Sequence, residues 1–450
     1  MKIPATPKLF DELLKSGMKH NRLEEIIKAS TETPPKKYEY LHWDELRHKV
    51  PPMGLSHEEW WLATKLRRRA GMRTIPLKDK QGRPFEFSIP DSVAEQLHHI
   101  AQGSGAIIGS TEPVTNPQTR DRYLIRSLFE EAITSSQLEG AATTREVAKQ
   151  MLSSGRKPRD KSEQMILNNY LTMQRIRELR ETPLTPEIVI DLQRMLGERA
   201  LDKPDAAGRL RKPDEPTDVG DRIEGTVFHI PPPALELPDR LEAMCHFANG
   251  EIPDYFINPV VRAIILHFWL AYDHPFVDGN GRTARALFYW AMLKNDFWLF
   301  EFISISKIIL KAPVQYGMAF LHAETDGNDL TYFLIHQVEV IRKAVRELHD
   351  YINHKTHEVE ESRGLINSLD WLNHRQQAIL VHALKHPGQR YTVAEHRACH
   401  NVVYATARAD LLALSGHNFL EKGKMGKEFI FRAPADLVKR LKNECSKKTG

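Results

Sequence analysis

The chain has 450 residues, which predicts roughly two to four domains rather than one compact core. A formal net charge of +4 excludes a protein that binds nucleic acid through its overall charge, and the apolar content of 41% is ordinary for a globular chain. Three widely spaced cysteines exclude a disulfide framework, and no apolar run approaches the ~20 residues of a membrane span, so we expect a cytoplasmic protein without membrane contact.

The N-terminal part, residues 1–110, is predicted to be a mixed extension of unknown role. Ser56-His57-Glu58-Glu59 is a capping box, and apolar residues recur at helical spacing from Trp60 to Leu66, which predicts a helix. The segment from Ile75 to Phe87, with a glycine in its polar middle, predicts a short hairpin. The run Arg67-Arg68-Arg69 is interpreted as a solvated helix face.

The middle of the chain, residues 111–360, has an almost wholly helical pattern and is predicted to be one domain. A polar stretch from Ser110 to about Thr119 precedes it as a predicted linker. The helical pattern is interrupted once, by a Pro, Gly and Asp-rich excursion from Lys203 to Pro233. Within this excursion, β-prone residues from Thr226 to Ile230 stand between a glycine and three prolines, which predicts a strand or hairpin over a helical core.

The C-terminal part, residues 365–450, is predicted to form a winged-helix domain. Short helices are expected at His374–Lys385, after the capping box Thr392–Glu395 and at Val403–Leu414, and two strands are expected between Phe419 and Phe431. Polar and basic side chains on the third helix and the expected wing fit DNA binding, namely Tyr404, Thr406, Arg408, Lys422, Lys424, Lys427 and Arg432. A winged helix that serves dimerisation or target docking is an equally weighted alternative.

The segment from His274 to Arg285, His-Pro-Phe-Val-Asp-Gly-Asn-Gly-Arg-Thr-Ala-Arg, carries the most information about chemistry. Asn258-Pro259 predicts the start of an apolar helix that ends just before His274, and a second apolar helix is expected from about Asn280. The segment is therefore a loop between two buried helices, and its second half is a helix N-terminus. Unpaired backbone N–H groups, the helix dipole and two glycines favour the binding of an anion there.

The side chains of this segment supply a base, a metal ligand and two cations. His274 is able to take a proton near neutral pH, and Asp278 is a hard oxygen ligand that suits Mg²⁺ beside a phosphate. Arg282 and Arg285 are three residues apart on one helix face and both reach the same polyphosphate, while Phe276 is expected to anchor the loop in the core. Each residue alone fits a plain helix-connecting loop with surface salt bridges, but together they favour displacement at phosphorus.

The segment resembles the motif HPFxDGNGRxxR of the Fic family and matches it at every defined position. The resemblance implies a helical bundle in which the motif histidine, here His274, deprotonates a target hydroxyl, with Mg²⁺ on Asp278 and an anion hole at the glycine turn. The residues that it assigns to ATP binding are Asp278, Gly279, Asn280, Gly281, Arg282, Thr283 and Arg285. The usual family reaction transfers AMP to Tyr, Thr or Ser of a protein, whereas phosphocholine transfer and phosphorylation occur in a minority of members.

A second segment resembles the inhibitory element of the family, which is Ser or Thr, three residues, Glu, and then Gly or Asn. Ser135, Glu139 and Gly140 occupy the defined positions, on a helix that is expected to begin near Arg122. The resemblance implies that Glu139 pairs with Arg285 and blocks the place of the γ-phosphate. A carboxylate competes with phosphate for the same guanidinium, so this inhibition is physically reasonable, although a helical Glu before Gly is otherwise an ordinary helix end.

A third segment, Thr226, Val227, Phe228 and His229, resembles the family's flap, which clamps a target segment by strand addition. The resemblance also assigns these four residues to ATP binding. Tyr316 is assigned to the adenine pocket by the same resemblance. The asparagine that follows this aromatic residue in the family has no obvious counterpart, and Glu324 lies near its expected place.

We therefore predict a mainly α protein: a Fic helical bundle with a β-hairpin flap, a C-terminal winged-helix domain and a mixed N-terminal extension. Its predicted function is that of an autoinhibited protein adenylyltransferase that uses Mg²⁺ and ATP to modify a target protein and itself, with a homodimer as a further expectation from the family. One alternative is a DNA-binding transcriptional regulator whose Fic domain is a nucleotide sensor. Another is a bifunctional enzyme whose site also removes AMP.

Overall fold

The computed structural model describes residues 1–446 apart from 36–37, 53, 107–116, 216, 222–224, 368 and 426–427. Most of the predicted linker lies outside these residues, although residues 117–119 already belong to a helix. The described residues fall into two compact units, Met1–Ile107 with Ile125–Val345 and Ile108–Leu124 with Arg346–Gly450. The architecture is mainly helical, as predicted, and no helix in the described ranges is both long and apolar enough to cross a membrane.

The N-terminal part of the first unit combines short helices with one antiparallel hairpin. Its elements are α1 Phe10–Lys19, α2 Leu23–Thr31, α3 Trp43–Leu46, α4 His57–Arg69, β1 Arg73–Lys78, β2 Pro84–Phe87 and α5 Asp91–Ala106. The capping box predicted from the sequence is present at the start of α4, where the hydroxyl of Ser56 accepts from the Glu59 amide and the Glu59 carboxylate accepts from the Ser56 amide. The predicted hairpin is confirmed by the pairing of β1 with β2.

The interpretation of Arg67–Arg69 as a solvated face is wrong for Arg68. Its side chain is buried, its Nη1 donates to the Tyr332 hydroxyl at 2.8 Å, and its guanidinium lies 3.8 Å from the centre of the Tyr40 ring. A planar guanidinium stacks on aromatic rings while its edge donates hydrogen bonds, which makes such burial tolerable. Arg68 thereby fixes α4 to the helix that contains Tyr332.

The remaining helices of the first unit carry the motif residues. They are α6 Pro117–Leu138, α7 Arg145–Ser154, α8 Lys161–Glu178, α9 Pro186–Gly197, α10 Leu237–Asn249, α11 Pro259–Asp273, α12 Asn280–Lys294, α13 Ile305–Lys311, α14 Pro313–Thr325 and α15 Thr331–Asn367, of which α6 and α15 extend into the second unit.

The two central helices, α11 and α12, begin and end where the sequence predicts. The Asn258 side chain caps α11 by accepting from the Val260 amide at 2.9 Å, and Pro259 occupies the first helical position. All residues from 282 to 293 of α12 are buried, as are all but one from 260 to 270 of α11. Helices that are buried on every side form a rigid frame for the loop that joins them.

The excursion between α9 and α10 contains the predicted hairpin, formed by β3 Val219–Asp221 and β4 Thr226–His229. Its tip at residues 222–224 lies outside the described residues. A Cβ atom on Gly220 would lie 2.4 Å from the Thr226 carbonyl oxygen, so glycine is required for this close pairing.

The second unit has its own apolar core, which includes Ile366, Leu380, Leu411 and Phe431. Its remaining elements are α16 His374–Lys385, β5 Arg390–Thr392, α17 Val393–His400, α18 Tyr404–Gly416, β6 Glu421–Met425, β7 Glu428–Arg432 and α19 Leu437–Ser446, with the sheet order β5-β7-β6. The predicted helices and strands are present, while β5 and α19 were not predicted. Assignment to the winged-helix class stays a prediction.

Candidate active site

The loop of residues 274–279, which joins α11 to α12, is held by its own side chains. Phe276 has 0% exposure and anchors the loop in the core, as expected. The Asn280 side chain closes the loop, because its Oδ1 accepts from the Phe276 amide at 2.9 Å and its Nδ2 donates to the Phe276 carbonyl at 2.8 Å. The side-chain amide of Asn280 therefore stabilises the loop, and the backbone N–H of Asn280 is the group that remains for a ligand at the helix N-terminus.

A second set of contacts fixes the turn that precedes α12. Gly279 has a φ of 86°, a left-handed conformation that favours glycine. The Gln193 side chain, with 0% exposure, donates to the Asp278 carbonyl at 3.0 Å and accepts from the Gly208 amide at 2.6 Å. Gln193 therefore ties the motif turn to the start of the excursion.

His274 ends α11 in a left-handed conformation with a φ of 45°. Its Nδ1 lies 3.3 Å from the Ala271 carbonyl, which only accepts, so Nδ1 carries the proton and Nε2 keeps a free lone pair. Burial lowers the pKa of His274 to about 4, against a smaller opposing effect of the Ala271 hydrogen bond. The imidazole is thus neutral near pH 7 and able to accept a proton at Nε2.

Arg285 binds the end of α6 through three contacts. Its Nε donates to the Ser135 hydroxyl at 2.9 Å, and its Nη2 donates to the Ser135 carbonyl at 3.0 Å and to Glu139 Oε1 at 2.8 Å. Burial is the largest single influence and raises the pKa of Glu139, but the charge and hydrogen bond of Arg285, together with the charge of Arg282, lower the pKa of that carboxyl overall. Ser135 and Glu139 thus contact Arg285 together.

The carboxylate of Glu139 lies directly over the N-terminal turn of α12. A Cβ atom built on Gly281 would meet Glu139 Oε1 at 2.1 Å and Arg285 Nη1 at 3.1 Å. Glycine at this position is what allows an anion to approach the helix N-terminus so closely.

These groups line a cleft of about 630 Å³. Its lining includes His274, the turn residues Val277–Gly281, and Glu139 with Gly140. Lys161 at the start of α8 and Lys203 in the excursion also line it. In the part of the chain that is described, the cleft lining contains neither β4 nor Tyr316.

Residues 183–292 match the Fic/DOC family model, a range that contains the flap segment, the motif loop and both motif arginines. The chain therefore contains a Fic domain within residues 183–292. The matched range begins after Glu139, which lies upstream in the sequence and also lines the cleft.

The curated relatives resemble only part of this chain, and the chain spans less than a fifth of the length of each relative. It is 35% identical over 69 residues to "Protein adenylyltransferase Fic" of Nematostella vectensis, covering 15% of this chain and 16% of the relative. It is 49% identical over 59 residues to "Protein adenylyltransferase fic-1" of Caenorhabditis briggsae, covering 13% and 11% of the two chains. The solved structure of a Fic family protein from Desulfovibrio desulfuricans G20 covers 77% of this chain and 97% of its own, with 19% identity and a TM-score of 0.51, which is a likeness of fold alone.

Two residues assigned to ATP binding have other partners in this structure. The Thr283 side chain is buried and its hydroxyl donates to the Gly279 carbonyl at 2.9 Å, so it supports the turn rather than facing the cleft. Arg282 has 0% exposure and donates to the Leu196 carbonyl at 3.1 Å, and its Nη2 lies 3.5 Å from Asp278 Oδ1. Arg285 rather than Arg282 donates to Glu139 here, and the expectation that both arginines hold one polyphosphate stays a prediction.

The residues assigned to the flap and the adenine pocket are not among the described residues that line the cleft. Val227 of β4 is 44% exposed, Thr226 and Phe228 are half-buried, and His229 is turned inward with 9% exposure. The Tyr316 hydroxyl lies 2.8 Å from His267 Nε2, and burial raises the pKa of Tyr316 to about 12, with Arg285 as a smaller opposing influence. Their contact with nucleotide stays a prediction.

Asp278 fits the Mg²⁺ that the resemblance implies. Its side chain is 44% exposed and borders the cleft beside the glycine turn. The described residues contain no cluster of three or more acidic, His or Cys side chains suited to a metal ion. A single carboxylate is enough to hold a magnesium ion that binds together with substrate phosphates, because phosphate and water oxygens supply the other ligands.

The sequence did not reveal the residue that braces His274. Arg211 donates from Nε to the His274 carbonyl at 3.0 Å and from Nη2 to the Pro232 carbonyl, and its amide donates to the Pro275 carbonyl at 2.9 Å. Gly208-Arg209-Leu210-Arg211 was visible as a short motif, but the separation of 63 residues from His274 hid its partner.

Proposed function

We propose that this chain is a Mg²⁺-dependent protein adenylyltransferase whose activity is limited by Glu139. The observation that carries the proposal is that a neutral His274 and the glycine-containing N-terminus of α12 line the same cleft. The names of the curated relatives support the same reaction. The acceptor is a protein hydroxyl, and a neighbouring copy of this chain is one such acceptor.

The chemistry follows from the placement of these groups. His274 Nε2 removes the proton of the target Tyr, Thr or Ser hydroxyl as its oxygen attacks the α-phosphorus of ATP. The new bond is O–P, the bond from the α-phosphorus to the bridging oxygen of the β-phosphate breaks, and pyrophosphate leaves. The free N–H groups at the start of α12 stabilise the charge that develops on the phosphoryl oxygens. Bound to Asp278, Mg²⁺ would neutralise charge on the triphosphate.

The inhibition is a competition between two anions for one place. Glu139 lies over Gly281 and on Arg285, where the end of a triphosphate would have to lie to reach the same guanidinium. Arg285 is buried, and its charge would lose the Glu139 carboxylate if Glu139 moved away without a phosphate in its place. This cost stabilises the inhibited state.

The test measures transfer of labelled AMP from ATP to protein, using the Glu139→Gly chain to remove the brake. Adding His274→Ala to that chain is expected to lower transfer at least about a hundredfold, since a general base contributes about this much. His246→Ala, on the exposed side of α10, is the matched control and is expected to leave transfer unchanged. Equal transfer with and without His274 would overturn the proposal.

A second candidate function rests on an observation in the second unit. Lys422 and Lys424 lie on one face of β6, with their ammonium groups 4.3 and 5.5 Å from the centre of the Phe429 ring. Two cations fixed on one strand face suit phosphate contacts of DNA. Binding of the full chain to duplex DNA that weakens steeply with salt, and is reduced by Lys422→Glu with Lys424→Glu, would favour a regulator. Lys427 lies outside the described residues.

A further inference from the structure

His229 joins the flap to two helices of the core. It is the last residue of β4, and only 9% of it is exposed. Its Nδ1 lies 2.8 Å from Glu324 Oε2 on α14, and its Nε2 lies 2.7 Å from the Tyr272 carbonyl in the last turn of α11. His229 thus attaches the flap strand to Tyr272 of α11, two residues before His274, and to Glu324 of α14.

Both partners of this imidazole accept hydrogen bonds. A backbone carbonyl has no proton to give, and a carboxylate has none when ionised. A neutral imidazole carries one N–H and satisfies only one of the two contacts, so both contacts require one additional proton on the pair. Imidazole is the stronger base of the two side chains, which places that proton on His229.

The surroundings favour a cation at this position. The Tyr272 carbonyl belongs to the C-terminal end of α11, where the helix dipole attracts positive charge. Asp273 adds negative charge from the same turn, although Arg240 Nη2 already holds its carboxylate at 2.6 Å. His274 faces the pair as a neutral ring, the Tyr272 ring centre lies 4.7 Å from that of His229, and the β3 residue paired with His229 is the apolar Val219.

We infer that His229, Glu324 and the Tyr272 carbonyl form a latch that holds the flap only while His229 is doubly protonated. The inference rests on the proposed function, and it takes from the family resemblance that the flap holds the target segment beside His274. Loss of the proton leaves a nitrogen lone pair facing a carboxylate at 2.8 Å, so β4 separates from α14 and the target is held less well. His229 is therefore a positioning residue, and its state changes the KM for the target protein more than kcat.

Replacement of Glu324 distinguishes this latch from ordinary packing. In Glu324→Gln the amide donates to a neutral Nδ1 while Nε2–H still donates to Tyr272, so both contacts persist without the extra proton. His229→Ala removes both contacts. His246→Gln is the matched control, because His246 Nδ1 also contacts a glutamate, Glu251, but on an exposed surface.

The first measurement does not depend on catalysis. The ring nitrogens of ¹⁵N-histidine are followed by NMR in the full chain, and the His229 signals are assigned by their loss in His229→Ala. The wild-type chain at about pH 7 is expected to show two protonated nitrogens on His229, and Glu324→Gln is expected to show one. A singly protonated His229 in the wild-type chain, or an unchanged ring in Glu324→Gln, would overturn the latch.

The second measurement uses the Glu139→Gly enzyme with a His274→Ala copy of the full chain as the acceptor. His229→Ala is expected to raise the KM for this acceptor about tenfold, with the KM for ATP little changed, because a hydrogen bond to a charged group contributes that much. In the same assay, Glu324→Gln is expected to leave the KM for the acceptor little changed, because both hydrogen bonds of His229 persist in that variant.

The two measurements separate the two ideas. If no protein acceptor receives AMP but the NMR result is as expected, the proposed function fails and the protonated contact stands. If transfer occurs but His229→Ala leaves the KM for the acceptor unchanged, the proposed reaction stands and the latch has no part in target binding.

Discussion

Gly281 has no side chain, and this allows an anion to come close to the start of α12. In the structure the anion is the Glu139 carboxylate, and in the proposed reaction it is the triphosphate. One prediction tests the exchange directly. Glu139→Gly is expected to raise AMP transfer several-fold, because it frees Arg285 for phosphate. Glu139→Gln keeps the size but loses the charge and should give an intermediate rate, whereas no gain in either variant would remove the brake from the proposal.

The same glycine tests whether phosphate takes the place of the carboxylate. A methyl group on Gly281 would occupy the position from which Glu139 Oε1 is now 2.1 Å away. In the Glu139→Gly chain, Gly281→Ala is therefore expected to weaken binding of Mg²⁺-ATP at least about tenfold, since a displaced phosphate loses a charge-assisted hydrogen bond. Calorimetric titration with Mg²⁺-ATP measures this. Unchanged affinity would mean that the nucleotide lies elsewhere in the cleft.

The low pKa of His274 gives a pH prediction whose sign follows from its role. A general base works when unprotonated, and the pKa of about 4 keeps His274 unprotonated down to mildly acid pH. The kcat/KM of the Glu139→Gly form should therefore stay within about twofold between about pH 7.5 and about pH 5.5. Glu139 raises the pKa of His274, so its removal only strengthens this expectation. A tenfold fall at about pH 5.5, with unchanged circular dichroism, would contradict it.

At the residue scale, the sequence identifies functional residues that lie together in one motif, but not residues that contact the motif from distant parts of the chain. His274, Asp278 and the glycines share one short segment with a specific pattern, and the structure brings them to one cleft. Gln193 and Arg211 contact that segment across 85 and 63 residues of chain, and no local pattern carries such a pairing.

Helices α11 and α12 show why the elements were easier to predict than their contacts. Each begins at a recognisable signal, Asn258-Pro259 for α11 and Gly279 for α12, and each has a continuous apolar sequence. The three-residue strand β5 was missed because its last residue, Thr392, is also the cap of α17, and the cap is the stronger local signal. Burial of Arg68 depends on Tyr40 and Tyr332, which are distant in sequence.

The excursion yields a prediction at the scale of the element. Arg211 ties it to the carbonyls of His274 and Pro232, so Arg211→Ala should let both the base and the start of the triple proline shift. We expect transfer by the Glu139→Gly form to fall about a hundredfold, since small misplacements of a base have effects of this size. Arg211→Lys should recover little of the loss, because an ammonium lacks the planar fork. Lys212→Ala, an exposed neighbour, is the control, and an equal loss there would point to a general disturbance of the excursion.

At the scale of the whole molecule, the described residues form two units, and the second unit has an apolar core of its own. The sequence predicts three parts, whereas residues 1–107 here belong to the same unit as residues 125–345. The second unit has buried core residues from Ile366 to Leu441, a span that begins inside the last helix shared with the first unit. A separate core predicts separate folding, because burial of apolar area is the main source of stability.

A fragment of residues 365–450 is accordingly expected to unfold in one cooperative transition when heated, followed by circular dichroism. Leu411→Ala, at a position with 0% exposure, should destabilise the fragment by about 2–5 kcal/mol, the cost of an emptied leucine site, whereas Lys422→Ala on the exposed strand should change it little. Because the active-site cleft is built from the first unit alone, Leu411→Ala in the full Glu139→Gly chain should leave AMP transfer at moderate temperature unchanged. If Leu411→Ala lowers AMP transfer as well as the stability of the second unit, the two cores are coupled.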